Sequence, residues 1–388
     1  MWKSNTIGKL RALFAISFIL SISFALTSYV DSSFIETFIE KDFVGILFTL
    51  SSIGILVYIS NLPKILEKFG VKNTLAGTGA IYVASIVGLL FFKNPVVFSV
   101  VFLAYFISAF SAYLTLDVII QHYSKGQTVG GVRGFYLTIY NLAFLVAPFI
   151  SGILISQSGF NAVYILSALL VISCCCFFLH QFKNESFFPK KNKKGFIENF
   201  LKLLQTPDLQ HVYLVSIMLN FFFAWMTIYM PIYLHDMIGF SWQEIGAMFA
   251  IMHIPYVLFE IPWGKIADKI LGEKEIMGAG IIIIGLCTAS IGFITSSEFW
   301  VWACALSLTR LGASMVQVTT ESYFFKKVKD TETEKISIFR NASPVALLIA
   351  PVVATIFLTV ASLSQLFIIL GVIVLLALIP NYKLHDTK

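Results

Sequence analysis

The sequence predicts an all-α polytopic membrane protein with twelve transmembrane helices in two six-helix halves. Three observations predict this fold: the composition, the number of long apolar runs and the distribution of cations. Of the 388 residues 58% are apolar, only 12% are charged and 38 are phenylalanine, which is far from the composition of water-soluble proteins. We therefore expect the chain to lie in a lipid bilayer.

Each membrane span needs about 20 apolar residues in helical conformation, because the hydrocarbon core is roughly 30 Å thick. Continuous apolarity over such a length favours helices over the alternating strands of a membrane barrel. Runs separated by charged or turn residues predict spans at 10–31, 43–62, 73–92, 95–120, 132–156, 160–182, 209–234, 244–263, 275–295, 299–324, 335–358 and 363–381.

The cations predict the orientation of these spans. With the amino terminus inside, all 27 Lys and Arg residues fall on the inner side except Lys41 and Lys93, which lie outside, and Arg310, which lies within span ten. This asymmetry matches the positive-inside rule, so both termini are predicted to be cytoplasmic. The net charge of +6 therefore reflects topology, and we expect no nucleic-acid partner.

The basic start of the chain, followed by an apolar run, also fits a cleaved signal peptide. We interpret it as a retained first helix, because the run is long, no A-x-A cleavage site follows and its removal would upset the even number of spans. The five cysteines, three of them adjacent at 174–176, indicate apolar packing. They predict neither a disulfide framework nor a metal site.

The longest polar stretch, residues 183–208, divides the chain into an N-terminal half at 1–182 and a C-terminal half at 209–388. We interpret it as a cytoplasmic central loop. Two structures stay open for it: a short helix on the inner leaflet, built around Phe196, Phe200 and Leu204, or a solvated connector.

The two halves repeat one another. "PKILEKFG" at 63–70 and "GKIADKILG" at 264–272 each follow the second span of their half and carry an acid, a lysine and a glycine. The segment around Pro148 in span five resembles that around Pro351 in span eleven, and Asp117 at the end of span four matches Glu321 at the end of span ten. Paired halves of this kind are typical of secondary transporters.

On these motifs the chain resembles the major facilitator superfamily over essentially its whole length. The family's loop signature is G-x-L-A-D-R-x-G-R-R, and the second copy here fits it better, with Leu271 as an extra residue. The resemblance implies transport of a small solute by alternating access, secondary active or facilitative, in the plasma (inner) membrane. The glycine-rich signature of the family's drug antiporters is reduced here to "APFISG", so a multidrug antiporter is not indicated.

The resemblance also implies a gate at the cytoplasmic loops. A carboxylate there can cap the positive N-terminus of a neighbouring helix, so Glu67 would meet span eleven near Arg340, and Asp268 would meet span five near Arg133. The alternative is that these are ordinary solvated charges. The gating set comprises Glu67, Lys68, Gly70, Asp117, Arg133, Gly264, Asp268, Lys269, Gly272, Glu321 and Arg340.

In the family resembled, spans one, four, seven and ten line a central cavity, flanked by two, five, eight and eleven. The alternative for each polar or aromatic residue there is a helix–helix contact. The candidate substrate residues are Tyr29, Asp31, Tyr140, Asn141, Asn220, Trp225, His253 and Arg310.

Arg310 and His253 are the sharpest candidates. An arginine near the bilayer midplane costs at least ~2.5–3.5 kcal/mol, so we expect it to bind an anionic or strongly polar part of the substrate, or else carbonyls and hydroxyls such as those of Ser307 or Ser314. No acid lies in the middle third of a span. His253, with an unperturbed pKa of about 6.5, would carry a proton in place of the missing carboxylate, or would be a neutral histidine bonded between helices.

No nucleotide-binding, hydrolytic or metal-binding motif is present in the sequence, so we expect no cofactor and no enzyme activity. The alternative to transport is a membrane-embedded enzyme or receptor-like protein that uses the same fold. The expected partners are the lipid bilayer, a small-molecule substrate and, if coupled, protons. The identity of the solute, the direction of transport, the coupling ion and the oligomeric state stay open.

Overall fold

The computed structural model describes residues 2–123, 129–182, 200, 203–328 and 333–385. Helices and their connections make up this part of the chain, and it contains no strand. Most of the predicted central loop, 183–208, lies outside the described residues. The contacts divide the chain into two compact units, Met1–Lys193 and Lys194–Lys388.

The N-terminal unit is built from long helices with short connections. They are α1 (Trp2–Ser28), the short α2 (Asp31–Glu36), α3 (Lys41–Phe91), α4 (Pro95–Tyr123), α5 (Val129–Ser158) and α6 (Phe160–Gln181). The predicted first span, 10–31, thus ends earlier than expected, because the chain turns after Ser28 and Asp31 begins a separate helix.

The C-terminal unit contains more broken helices, two of which continue into π-helical turns. They are α7 (Pro207–Ile232) with the π-turn Tyr233–Ile238, α8 (Trp242–Met252), α9 (Ile254–Ile266) with the π-turn Ala267–Leu271, α10 (Glu273–Ile291), α11 (Phe299–Lys327), α12 (Thr333–Arg340), α13 (Ala342–Leu358), α14 (Leu363–Leu375) and α15 (Leu378–Tyr382).

Eleven helices among the described residues are long and apolar enough to cross a membrane. The longest of them, α3, has 51 residues and leaves helical geometry at Gly70. Because each part of α3 on either side of Gly70 is long enough for one span, the count is consistent with the twelve spans predicted.

The same helix pairs form in both units. In the N-terminal unit α1 packs on α5 and α6, and α3 packs on α4 and α6. In the C-terminal unit α7 packs on α13, and α10 packs on α11 and α14. The spans to which these helices correspond are seven for α7, nine for α10, ten for α11, eleven for α13 and twelve for α14. Spans one and five therefore pair as spans seven and eleven do.

Local signals in the sequence set several helix starts. Ser241 accepts a hydrogen bond from the Glu244 N–H, and the Glu244 side chain accepts from the Ser241 N–H, which is a complete capping box at the start of α8. Ser362 and Gln365 form the same arrangement at the start of α14. These caps satisfy backbone donors that would otherwise have no partner in a lipid environment.

The last described residues are tied to the ends of three helices of their own unit. The Asp208 carboxylate accepts from the backbone N–H of His385 at 3.3 Å and pairs with Lys327 at 3.0 Å. The Tyr323 hydroxyl donates to the His385 carbonyl at 2.8 Å, and Lys274 donates to the Leu384 carbonyl at 2.9 Å. The chain after α15 therefore joins the ends of α7, α10 and α11.

Candidate functional site

Arg310 lies near the middle of α11 and is almost fully buried, with 1% of its surface exposed. Its guanidinium carbon lies 5.1 Å from the ring centroids of both Phe222 and Phe223 on α7. Two aromatic faces attract a desolvated cation, so α7 offsets part of the cost of placing this charge in an apolar helix contact.

The two serines expected as alternative partners of Arg310 use their hydrogens elsewhere. The Ser307 hydroxyl donates to the Ala303 carbonyl and the Ser314 hydroxyl donates to the Leu311 carbonyl, each at 2.7 Å. Both bonds stay within α11. Because a guanidinium only donates, these bonds leave both serine oxygens able to accept from Arg310.

His253 lies at a break in span eight, which the sequence predicted as one continuous helix over 244–263. α8 ends at Met252, α9 begins at Ile254, and Pro255 in the first turn of α9 has no N–H to donate. The buried His253 ring bonds the Phe249 carbonyl through Nδ1 at 2.7 Å. Because a carbonyl only accepts, Nδ1 carries the hydrogen of this bond.

Arg310 and His253 are both buried in the C-terminal unit, and α11 packs on α8 and α9, the helices on either side of His253. We call this pair, together with Phe222 and Phe223, the arginine centre. Interrupted spans are where transporters present backbone and polar groups to a ligand at membrane depth. The arginine centre is thus a charged group beside an interrupted span.

Asn220 and Trp225 make helix contacts. The Asn220 side chain donates to the Ser216 carbonyl of its own helix at 2.8 Å. The fully buried Trp225 donates through Nε1 to the Ala350 carbonyl at 2.5 Å and thereby joins α7 to α13. This bond matches the alternative considered for Trp225, a contact between spans.

In the N-terminal unit Phe144 of α5 links two of the candidate residues. Its ring centroid lies 6.3 Å from that of Tyr29 and 4.7 Å from that of Tyr140. Asn141, the next residue of α5, is buried. Asp31 belongs to a different cluster, since its carboxylate accepts hydrogen bonds from Tyr164 of α6 at 2.7 Å and Tyr105 of α4 at 3.0 Å.

The two repeated loops share one backbone geometry. Gly70 has φ 73° and ψ 160°, and Gly272 has φ 98° and ψ 158°. Only glycine adopts this region without strain, which explains why both copies of the loop carry it. The extra Leu271 of the second copy lies in the π-turn Ala267–Leu271, which the Gly272 N–H closes on the Ala267 carbonyl at 3.1 Å. A π-turn absorbs one inserted residue, so the repeat survives the insertion.

Asp268 joins a network that sequence reasoning missed. Lys326 at the end of α11 pairs with the Asp268 carboxylate at 2.9 Å and also with Glu273. Ser322 donates to Glu273 at 3.0 Å, and Glu273 is fully buried at the start of α10. The available signal was position, because Glu273 directly follows the loop glycine and Lys326 lies just beyond the predicted inner end of span ten.

The remaining gating candidates occupy varied surroundings. Glu67, Lys68 and Lys269 are exposed, Asp117 is buried in α4, and Glu321 and Arg340 are half-buried. A methyl group on Gly264 would lie 3.5 Å from Val318, which is an ordinary contact. Arg133 lies in α5, but its side chain is outside the described residues. The expected meetings of Glu67 with Arg340 and of Asp268 with Arg133 stay predictions.

Sequence reasoning also missed the tyrosines around Asp31. Tyr105 and Tyr164 are fully buried, and each places one side-chain polar atom within a predicted span, four and six respectively. The available signal was the tyrosine hydroxyl, a polar group that needs a hydrogen-bond partner when it lies in an apolar run. Within the described ranges no group of three His, Cys, Asp or Glu residues is placed to hold a metal ion.

Comparisons with known proteins agree with this fold. The family model described as Major Facilitator Superfamily matches residues 12–255 and 242–385. An uncharacterised MFS-type transporter of Methanocaldococcus jannaschii is 25% identical over 242 residues, which cover 59% of this chain and 59% of that relative. The chain thus spans less than two thirds of the length of this curated relative.

Two solved structures resemble the chain over nearly its whole length. An auto-inhibited peptide transporter of the POT family has a TM-score of 0.76 at 12% identity, with 96% of each chain covered. The nucleoside transporter NupG has a TM-score of 0.74 at 14% identity, with 96% of this chain and 98% of that chain covered. At such identities the likeness shows the fold alone.

Proposed function

The chain belongs to the major facilitator superfamily and is an integral membrane transporter, and on this premise we propose that it moves a small anionic or strongly polar solute across the plasma membrane by alternating access. The family match favours transport over the enzyme and receptor-like alternatives. The repeated helix pairing of the two units supports the mechanism, because alternating access uses two similar bundles.

The observation that carries the proposal for the solute is the burial of Arg310. A cation in the middle of a span is costly, and ionisable groups placed there are functional by default. The planar guanidinium has five donors in a fixed fork, which suits a carboxylate or phosphate. The faces of the two phenylalanine rings offset part of the charge.

His253 supports the same assignment. Its Nδ1 bonds the Phe249 carbonyl, so the ring has a fixed orientation. We propose that Arg310 provides the charge and His253 the orientation of the bound solute.

The gate is the second part of the proposal. We infer that the acids of the two loops, Glu67 and Asp268, regulate opening at the cytoplasmic side. Two features support this role: the matched glycine geometry at Gly70 and Gly272, and the pairing of Asp268 with Lys326.

The test begins with a ligand screen of the purified chain by thermal shift. The panel contains small carboxylates and organic phosphates, with peptides, nucleosides and 5-aminolevulinic acid added because solved relatives are named for them. A stabilising compound is then used in binding and in vesicle uptake. We expect anionic compounds to give the hits.

Variants at Arg310 decide whether this residue binds the solute. We expect Arg310→Lys, which keeps the charge but loses the fork, to weaken binding about tenfold, and Arg310→Gln to abolish it. Leu308→Ala is the matched control, because Leu308 is on the same helix and 48% exposed. Unchanged affinity in a well-folded Arg310→Gln variant would assign the residue to helix packing.

A further inference from the structure

The N-terminal unit contains a buried acid, Asp31, whereas the arginine centre belongs to the C-terminal unit. Asp31 is 1% exposed and accepts hydrogen bonds from the hydroxyls of Tyr164 at 2.7 Å and Tyr105 at 3.0 Å. Among the residues that the structure describes, the ion pairs are formed by other acids. A buried carboxylate without a cation is costly, so a bound proton is the favourable way to remove its charge.

The groups around Asp31 come from four helices. Tyr105 belongs to α4 and Tyr164 to α6, and the Tyr82 ring of α3 packs on Tyr105 with centroids 5.5 Å apart. Thr27 of α1 completes the set. The titratable groups facing Asp31 are thus tyrosines, which are neutral near pH 7.

The Tyr105 hydroxyl has one hydrogen but two oxygens within donating distance. It lies 2.7 Å from Thr27 Oγ1 and 3.0 Å from Asp31 Oδ1. Thr27 in turn lies 3.2 Å from the Phe24 carbonyl, to which it donates. A hydroxyl that already donates to one acceptor can meet the second oxygen only by accepting from it.

Two arrangements of the hydrogens satisfy the hydrogen-bond chain formed by Asp31, Tyr105 and Thr27. With Asp31 protonated, its O–H donates to Tyr105, Tyr105 donates to Thr27 and Thr27 donates to the Phe24 carbonyl. With Asp31 ionised, Tyr105 donates to the carboxylate and Thr27 donates to Tyr105. The Phe24 carbonyl keeps the Ser28 hydroxyl as a donor at 2.7 Å in both cases, so the second arrangement leaves no carbonyl without a partner.

We propose that Asp31 is a proton-binding site of the transporter and that its proton sets the direction of the Asp31–Tyr105–Thr27 hydrogen-bond chain. Uptake of one proton forms the O–H bond of Asp31, turns the Tyr105 hydrogen from Asp31 to Thr27, and turns the Thr27 hydrogen to Phe24. The hydrogen bond donated by Tyr105 therefore changes its acceptor from Asp31 in α2 to Thr27 in α1. The proposal can be tested without knowing which solute is transported.

The test follows the infrared band of a protonated carboxyl group in the full-length protein in lipid nanodiscs, with pH as the only variable. We expect a band that titrates in the wild type and disappears in Asp31→Asn. Glu40→Gln is the matched control, since Glu40 is an exposed acid in the connection between α2 and α3. The control should keep the band.

Two neighbouring variants keep the acid and should shift its titration in opposite directions. Tyr105→Phe removes a donor to the carboxylate, so the band should persist to higher pH, by about one unit. Thr27→Val removes the acceptor that Tyr105 uses when Asp31 is protonated, so the band should vanish at lower pH by a similar shift. A merely structural role predicts no such opposition.

A band that is unchanged in Asp31→Asn would overturn the proposal. If Asp31→Asn fails to fold, the two neighbour variants still decide it. Shifts in the same direction, or no shift in either variant, would show that the chain does not follow the proton.

Discussion

At the scale of single residues, the two units stabilise a buried ionisable side chain in different ways. Each contains an ionisable side chain that is 1% exposed, Arg310 in one unit and Asp31 in the other. Arg310 lies on two aromatic faces, whereas Asp31 accepts from two hydroxyls. Rings suit a cation because their faces are negative, and hydroxyls suit an acid because they donate.

The loop glycines give a residue-scale prediction about the backbone. Alanine at Gly70 or Gly272 would have to adopt a conformation that is essentially restricted to glycine, at a cost of about 1–3 kcal/mol. We therefore expect Gly70→Ala and Gly272→Ala each to lower the midpoint of thermal unfolding of the purified protein.

Gly77→Ala is the control for these two variants. Gly77 is helical, and a methyl group there meets nothing within 4 Å, so alanine should be neutral or stabilise by up to about 1 kcal/mol. Equal unfolding midpoints for all three variants would show that the loop geometry is not required for stability.

At the scale of elements, close helix contacts depend on glycine. A methyl group on Gly280 of α10 would lie 2.7 Å from the Gly312 carbonyl of α11, and one on Gly285 would lie 3.1 Å from the Gly371 carbonyl of α14. Small residues allow helix backbones to approach in a bilayer, where apolar burial gives little attraction between helices. α10 is therefore held on two sides by backbone contact.

The contact of α10 with α11 is the element-scale prediction. A methyl group on Gly312 would lie 2.8 Å from the Gly280 carbonyl oxygen and 2.9 Å from the Ile284 nitrogen. Neither backbone atom can move alone, so Gly312→Ala should force the helices apart and destabilise the fold by about 1–3 kcal/mol. Thermal unfolding measures the loss, and an unfolding midpoint equal to that of Gly77→Ala would contradict it.

At the scale of the whole molecule, the chain is a duplicated helical bundle with different chemistry in each copy. In both units the helix of the first span packs on that of the fifth, and the helix that contains the third span packs on those of the fourth and sixth. The tyrosine-bound Asp31 belongs to the first unit and the buried Arg310 to the second. The two units therefore share their helix packing and differ in the buried side chains that form the candidate sites.

The loop acids give the prediction at this scale. We expect Glu67→Gln and Asp268→Asn each to slow uptake of the solute found in the ligand screen while leaving membrane abundance unchanged. Asp268 is 56% exposed, so its pair with Lys326 is worth no more than about 1 kcal/mol and a single variant should slow transport a few-fold. The double variant should be slower than either single variant.

Glu275→Gln is the matched control, because Glu275 is an exposed acid in the first turn of α10 and lies outside the network. Its uptake should equal that of the wild type. Wild-type rates in both single variants and in the double variant would remove the loop acids from the gate.

The sequence by itself determined the membrane class, the span positions within a few residues, the repeat and the family. These follow from local or summed properties: apolar length against bilayer thickness, and motifs read directly from the chain. It also identified Arg310 as a buried charge, because its position in an apolar run needs no neighbour to be recognised.

Only the tertiary structure decided which side chains meet. The sequence grouped Asp31 with Tyr29, but the turn after Ser28 directs the Asp31 carboxylate to Tyr105 and Tyr164, far away in the chain. Nothing in the sequence distinguishes Phe222 and Phe223 from the other phenylalanines among the 38. Their contact with Arg310 follows from the packing of α7 on α11. Long-range partners depend on helix rotation and crossing, which uniformly apolar spans do not encode in their pattern.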